Sequence, residues 1–183
     1  MFLVRALILI LLGLAAVPVM ADQNDPRLDL LFARLKQAQS VPEAKAIEGQ
    51  IWSTWLESDS ATVRLLLHRT LQAMNEGRLK DSLQILDNLV QIAPDFAEGW
   101  NKRATVLYLL DRYKESLADV ERTLDLEPRH FGALSGRGLI HNQLGEDGKA
   151  LEAFERALEV HPQLPHARGE VKRLKKKVRG ERI

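Results

Sequence analysis

Hydrophobic and polar positions divide the chain into two regimes that meet at residue 22. From Met1 to Ala21 the sequence is almost wholly apolar, with Arg5 its one charge. The run from Ala6 to Ala16 suits the central region of a secretory signal, Pro18 breaks the helix, and Val19-Met20-Ala21 supplies the cleavage positions. Residues 1–21 therefore read as a signal peptide cut before Asp22, which would deliver the protein to the periplasm. The rival reading is an uncleaved N-terminal membrane anchor facing the periplasm. A spanning helix needs about 20 apolar residues, and Pro18 with the polar Asp22-Gln23-Asn24-Asp25 cuts this run short.

Beyond Asp22 apolar residues return at spacings of three and four, the mark of one-sided helices. A longer period lies over that pattern. Pro94, Pro128 and Pro162 are 34 residues apart, so the chain falls without gaps into units 63–96, 97–130 and 131–164. The fourth position of each unit holds Leu66, Trp100 and Leu134; the eighth Thr70, Ala104 and Gly138; the twentieth Ser82, Ser116 and Ala150; the twenty-fourth Leu86, Val120 and Phe154. Positions 4, 8 and 11 share one face of a first helix, and 20, 24 and 27 or 28 one face of a second. Small residues at 8 and 20 let the two approach closely. Gly77, Gly145 and the Leu110-Asp111 pair mark the turn between them, and the terminal proline stops the second helix.

With these columns in view, the chain resembles the tetratricopeptide repeat family. Trp100, Ala104, Leu107, Tyr113, Ser116, Val120, Leu124 and Pro128 fit its pattern in the middle unit. Leu134, Gly138, Ala150, Phe154, Ala157 and Pro162 fit it in the third. Unit one is weaker, with Thr70 and Ser82 at the small positions. More narrowly, the layout is similar to small secreted repeat proteins of alphaproteobacteria. The resemblance implies an all-α, right-handed superhelical stack of helix-turn-helix units, an α-solenoid of about nine helices. Such arrays bury their apolar faces only against neighbours, so their ends need caps. Residues 22–62 read as a degenerate helix pair, a cap or an eroded repeat. Leu30, Leu31, Leu35 and Ala38 mark its first helix, and Ala46, Ile47, Ile51, Trp52 and Trp55 its second. Residues 165–183 read as a basic amphipathic capping helix with Ala167, Val171, Leu174 and Val178 on one side.

The family's concave wall uses first-helix positions 2, 5, 9, 12 and 13. By that resemblance the partner-binding groove comprises Leu67, Leu71, Met74, Asn101, Thr105, Tyr108, Ser135, Leu139 and Asn142. It mixes aliphatic, amide and hydroxyl groups, suited to a peptide or helix of a partner protein. Some family members grip acidic C-terminal tails with a two-carboxylate clamp. Its places are filled here by Leu67, Leu71, Lys102, Gly132 and Gly136, so the clamp is absent.

Charge adds one feature. The chain has 26 Lys and Arg against 25 Asp and Glu, but the basic residues crowd at the end. Lys172, Arg173, Lys175, Lys176, Lys177 and Arg179 would face an anionic surface, giving peripheral contact with an anionic membrane or polymer as a second function reading. Export and the lack of aromatics in this tail argue against nucleic acid. An uncovered array end also leaves room for self-association. Arg69, Arg103 and Arg137 recur at position 7 and read as structural, with Asp119 placed to pair with Arg103.

Catalytic chemistry finds little footing. There is no Cys, no nucleophile elbow and no phosphate-binding loop. His68, His130, His141, His161 and His166 have no metal-ligand spacing, and His141 at position 11 reads as a packing residue. No cofactor, metal or catalytic residue is expected. The reading is a non-enzymatic protein-interaction scaffold of the cell envelope.

Overall fold

In the computed structural model, residues 22–180 are described; residues 1–21, expected from the sequence to be a signal peptide, and the last three residues lie outside them. Nine α-helices and no strand occur among the described residues. The helices are α1 (Arg27–Gln37), α2 (Val41–Leu56), α3 (Ala61–Asn75), α4 (Leu79–Ile92), α5 (Ala97–Leu109), α6 (Tyr113–Leu126), α7 (Phe131–Gln143), α8 (Asp147–Val160) and α9 (Pro165–Val178). None of them is long and apolar enough to cross a membrane.

Three antiparallel pairs, α3/α4, α5/α6 and α7/α8, reproduce the 34-residue register, and α9 packs on α8. Each pair turns by the same device. Gly77, Asp111 and Gly145, all at position 15, adopt φ of 71°, 57° and 73°. The next residue donates its N–H back across the turn: Arg78 to Ala73 O at 2.8 Å, Arg112 to Leu107 O and Glu146 to His141 O at 2.9 Å. This left-handed cap satisfies carbonyls that the helix end would orphan. Asp111 shows that a short polar side chain can take the place of glycine there.

The small columns do what their size allows. Thr70, Ala104 and Gly138 are buried, as are Ser82, Ser116 and Ala150. Ser116 Oγ donates to the Ala104 carbonyl at 2.7 Å. A Cβ on Gly138 would lie 2.8 Å from three Phe154 ring atoms, so the helices of the third unit meet in van der Waals contact. The expected Arg103–Asp119 pair forms, with Nε and Nη2 donating to the two carboxylate oxygens at 2.7 and 2.8 Å. Arg103 also reaches back to Asp87 of the preceding unit at 3.1 Å.

The N-terminal pair departs from the expected end cap. It packs on α5 and α8 rather than continuing the stack onto α3. Its contacts run along one edge of the array, where the connections between repeats lie. The Gln23 side chain donates to Asp95 O and accepts from Ala97 N at the start of α5. Arg129 joins Asp29 at 2.7 Å and covers the Phe32 ring at 4.4 Å. Gln163 donates to Ala38 O. The apolar reason is an aromatic cluster: Trp52 and Trp55 bring their rings to Phe131, and Phe32 packs on Trp55, whereas α3 carries no Phe, Tyr or Trp. Within the pair, Leu28 and Phe32 join Leu31, Leu35 and Ala38 in the core, while Leu30 is exposed; in α2, Ala44 is buried and Ala46 is not. Each apolar stripe is thus rotated slightly from the expected one. On α9, Ala167 and Leu174 are buried and Val178 lies exposed near the helix end.

Candidate functional site

The inner helices α5 and α7 lie side by side and leave a cleft between them, floored by Ser116 and Val120 of α6. Asn101, Thr105 and Tyr108 project from α5; Gly132, Ser135, Gly136 and Leu139 project from α7. Spacings of four and three along α5 keep its residues on one face. The cavity measures about 170 Å³ and carries no charged side chain among its lining residues. Its polar groups are hydroxyls and one amide. Thr105 Oγ1 is tied to the Asn101 carbonyl at 2.9 Å, and Tyr108 Oη accepts from Gln143 Nε2 at 3.2 Å. Ser135 Oγ is shielded from solvent and makes no hydrogen bond among the described residues.

Five of the nine groove residues expected from the sequence therefore converge here. The other four do not. Leu67 is a core residue, 4% exposed, packed with Val63, Leu89, Val90 and Phe96. The run Leu65-Leu66-Leu67 hides which leucine the helix turns inward, and the structure turns Leu67 in while Leu65 faces out. Leu71 lines a separate shallow hollow with His68, Gln72 and Asn75. Met74 is half-buried in the same helix. Asn142 is engaged by the C-terminal helix, its Oδ1 accepting from Arg173 at 2.9 Å.

The basic helix is also more occupied than its sequence suggests. Arg173 pairs with Glu170 at 2.7 Å, Lys175 with Glu155 at 2.8 Å and Lys177 with Asp147 at 2.8 Å. Lys172, Lys176 and Arg179 remain exposed.

One end of the α5–α7 cleft is closed by a network the sequence reading missed. Glu98, in the first turn of α5, is 1% exposed. Its carboxylate accepts from Asn101 Nδ2 at 2.9 Å, faces His130 Nε2 at 3.0 Å and pairs with Lys102 at 2.6 Å. His130 Nδ1 caps α7 by accepting from Ala133 N at 3.0 Å, which leaves Nε2–H for Glu98. Burial pushes the Glu98 carboxyl pKa up, but the His130 bond and the Lys102 charge outweigh it and hold it below the usual glutamate value. Trp52 covers this network, with the Lys102 ammonium 5.2 Å from its ring. A Cβ on Gly132 would lie 2.7 Å from Trp52, so glycine there admits the indole. The signals were present: two tryptophans three apart on α2, and glycine in place of a side chain at the mouth of α7. Neither names the other as its partner.

Comparisons with known proteins agree with this architecture. A model of the tetratricopeptide repeat matches residues 101–165. Over 156 residues the chain is 40% identical to a TPR repeat-containing protein of Rhizobium etli, covering 85% of this chain and 76% of that protein. It is similar to the Hsp70-Hsp90 organizing protein of Triticum aestivum at 29% identity over 90 residues, 49% of this chain but only 16% of that one. Among solved structures, the first TPR of Spaghetti (RPAP3), bound to HSP90 peptide SRMEEVD, matches with a TM-score of 0.64 at 19% identity, covering 66% of this chain and 96% of that one. The last likeness bears on the fold alone. The repeat register, the nine-helix architecture and the long match to the Rhizobium etli protein together show that the chain belongs to the tetratricopeptide repeat family.

Proposed function

We propose that the protein is a non-enzymatic interaction scaffold of the cell envelope that takes an uncharged, largely apolar segment of a partner protein into the α5–α7 cleft. One observation carries the reading: Asn101, Thr105, Tyr108, Ser135 and Leu139 converge on an apolar cavity that has an unpaired hydroxyl and no charge in its lining. Leu139, Val120 and Ile140 receive an apolar side chain, and Ser135 meets a backbone group of the guest. The first Spaghetti (RPAP3) domain holds an HSP90 peptide and the second TPR domain of human RPAP3 an HSP70 peptide, which supports peptide binding as the mode. An acidic tail suits this cleft poorly. Gly132 and Gly136 offer no cation, and Lys102 is spent on Glu98. Export through the segment 1–21 belongs to the same proposal, as does its alternative, retention by that segment as an anchor.

The reading of α9 as an anionic-surface dock rests on Lys172, Lys176 and Arg179 alone. Three cations near such a surface contribute about 1 kcal/mol each.

The test places photo-crosslinkers at Thr105 and Ser135 in the native cell envelope, with a control on the outer helix at Lys114. One protein captured from both cleft sites, absent from the control, and lost on Gly136→Leu supports the proposal. The added Cβ would meet only Val120 Cγ2, at 3.9 Å, and an unchanged thermal melt checks that the variant keeps its fold. Equal capture from all three positions overturns it.

A further inference from the structure

The exact repeat register allows the same cleft to be compared in two successive units. In unit two, a cavity of about 240 Å³ between α4, α5 and α6 is lined by Asp87, Arg103, Arg112, Glu115 and Asp119, among others. Its arginine is fully engaged: Arg103 holds both oxygens of Asp119, at 2.7 and 2.8 Å, and one of Asp87. Arg112 is engaged by Glu115.

One repeat later the cleft between α6, α7 and α8 measures about 170 Å³ and keeps the arginine, now Arg137, and the acid of the preceding unit, now Glu121. The other two acids are gone. Lys149 stands at the place of Glu115, and Ala153 at the place of Asp119. Arg137 is left with Glu121 at 3.5 Å, although its side chain is only 16% exposed. That distance is long for a charge-assisted bond, which runs to about 2.7–2.9 Å. A guanidinium removed from most of its water has donors to fill, and its planar fork matches a carboxylate. Arg156 and Lys149 add positive charge to the lining, and Glu152 is the second acid there. Lys149 lies 3.0 Å from Glu146, and His141, also in the lining, is held by Glu146 at 2.6 Å.

We propose that this cleft, with Arg137 over Ala153, is a binding site for a carboxylate supplied from outside the chain, by an acidic side chain of a partner protein. The carboxylate takes the place that Asp119 fills one repeat earlier. The site uses Arg137 and His141 of α7, a different face from the Gly132, Ser135, Gly136 and Leu139 face of the α5–α7 cleft. It therefore stands or falls independently of that cleft.

Arginine Nε–Hε resonances of the full chain, titrated with sodium acetate against sodium chloride and inorganic phosphate at matched ionic strength, test the proposal. Arg137 shifts and saturates with acetate, while Arg103, already filled by Asp119, stays still. Ala153→Asp supplies the carboxylate internally and abolishes the acetate response. Lys149→Glu, at a side chain 62% exposed, leaves the fold intact and weakens acetate binding severalfold. A linear drift shared by Arg137 and the exposed arginines overturns the proposal. So does a response equal in acetate and chloride, one stronger with phosphate, or one unchanged in both variants.

Discussion

The imidazole of His130 lies flat against the indole of Trp55, ring centroids 4.0 Å apart and planes 7° from parallel. That contact fuses the N-terminal helix pair to the connection between the second and third repeats, 75 residues downstream in the chain. Trp55 is fully buried, so Trp55→Ala removes a core ring that cannot be replaced by water. A loss of about 3–5 kcal/mol is expected, read as a lower midpoint in urea denaturation followed by helical circular dichroism. Trp55→Phe retains most of the stacking and loses less. A loss below about 1 kcal/mol for the alanine variant would mean that the pair is only loosely docked.

Glu98 predicts the acid limb of the stability curve. Its pKa is depressed in the folded state, so the unfolded chain takes up the proton first as the pH falls. The network's contribution is whole above the unfolded glutamate pKa of about 4.3 and is lost as the pH drops through the lower folded value. Urea midpoints should therefore fall on going below that pH. Glu98→Gln, which leaves Lys102 and His130 without their carboxylate, should cost about 3 kcal/mol near neutrality and flatten the acid dependence. An unchanged acid slope in the variant would assign that slope to other carboxylates.

Ser82 and Ser116 occupy the same repeat position with different outcomes. Ser116 Oγ has its bond to the Ala104 carbonyl, whereas Ser82 Oγ is buried without a partner among the described residues. Ser116→Ala should cost about 1 kcal/mol, and Ser82→Ala should be neutral or stabilising, because it removes an unpaired buried hydroxyl. Thermal melts of the two single variants check the difference. Equal losses would contradict it.

Two glycine substitutions should move stability in opposite directions. Gly138→Ala drives a Cβ into the Phe154 ring and should cost about 1–3 kcal/mol by overpacking. Gly49→Ala, in the middle of α2 with open space around its Cβ, should gain up to about 1 kcal/mol from helix propensity. Melting temperatures of both, against the parent, separate the effects.

The sequence by itself determined the repeat. A proline every 34 residues, small residues at positions 8 and 20 and turn residues at 15 fix helix boundaries, handed turns and close pairing, because each is a local constraint acting within a few residues. The Arg103–Asp119 pair was legible for the same reason: both lie inside one repeat at positions that face each other. So was the convergence of Asn101, Thr105, Tyr108, Ser135 and Leu139 on one cleft, since the register places those faces of α5 and α7. Where the apolar run has no gap, as at Leu65-Leu66-Leu67, period alone cannot choose the inward residue, and Leu67 went to the core. Only the tertiary structure decided where the N-terminal pair lies, that Asn142 and three basic residues of α9 are spent within the chain, and that Glu98, His130 and Lys102 meet. The contacts among them that cross between helices, Lys177 to Asp147, Asn142 to Arg173, Glu98 to His130 and Asp29 to Arg129, join residues 30, 31, 32 and 100 apart. They are selected by which aromatic and charged surfaces complement one another once the solenoid has formed. A buried carboxylate is tolerated only where such partners converge, and no spacing along one helix reports that convergence.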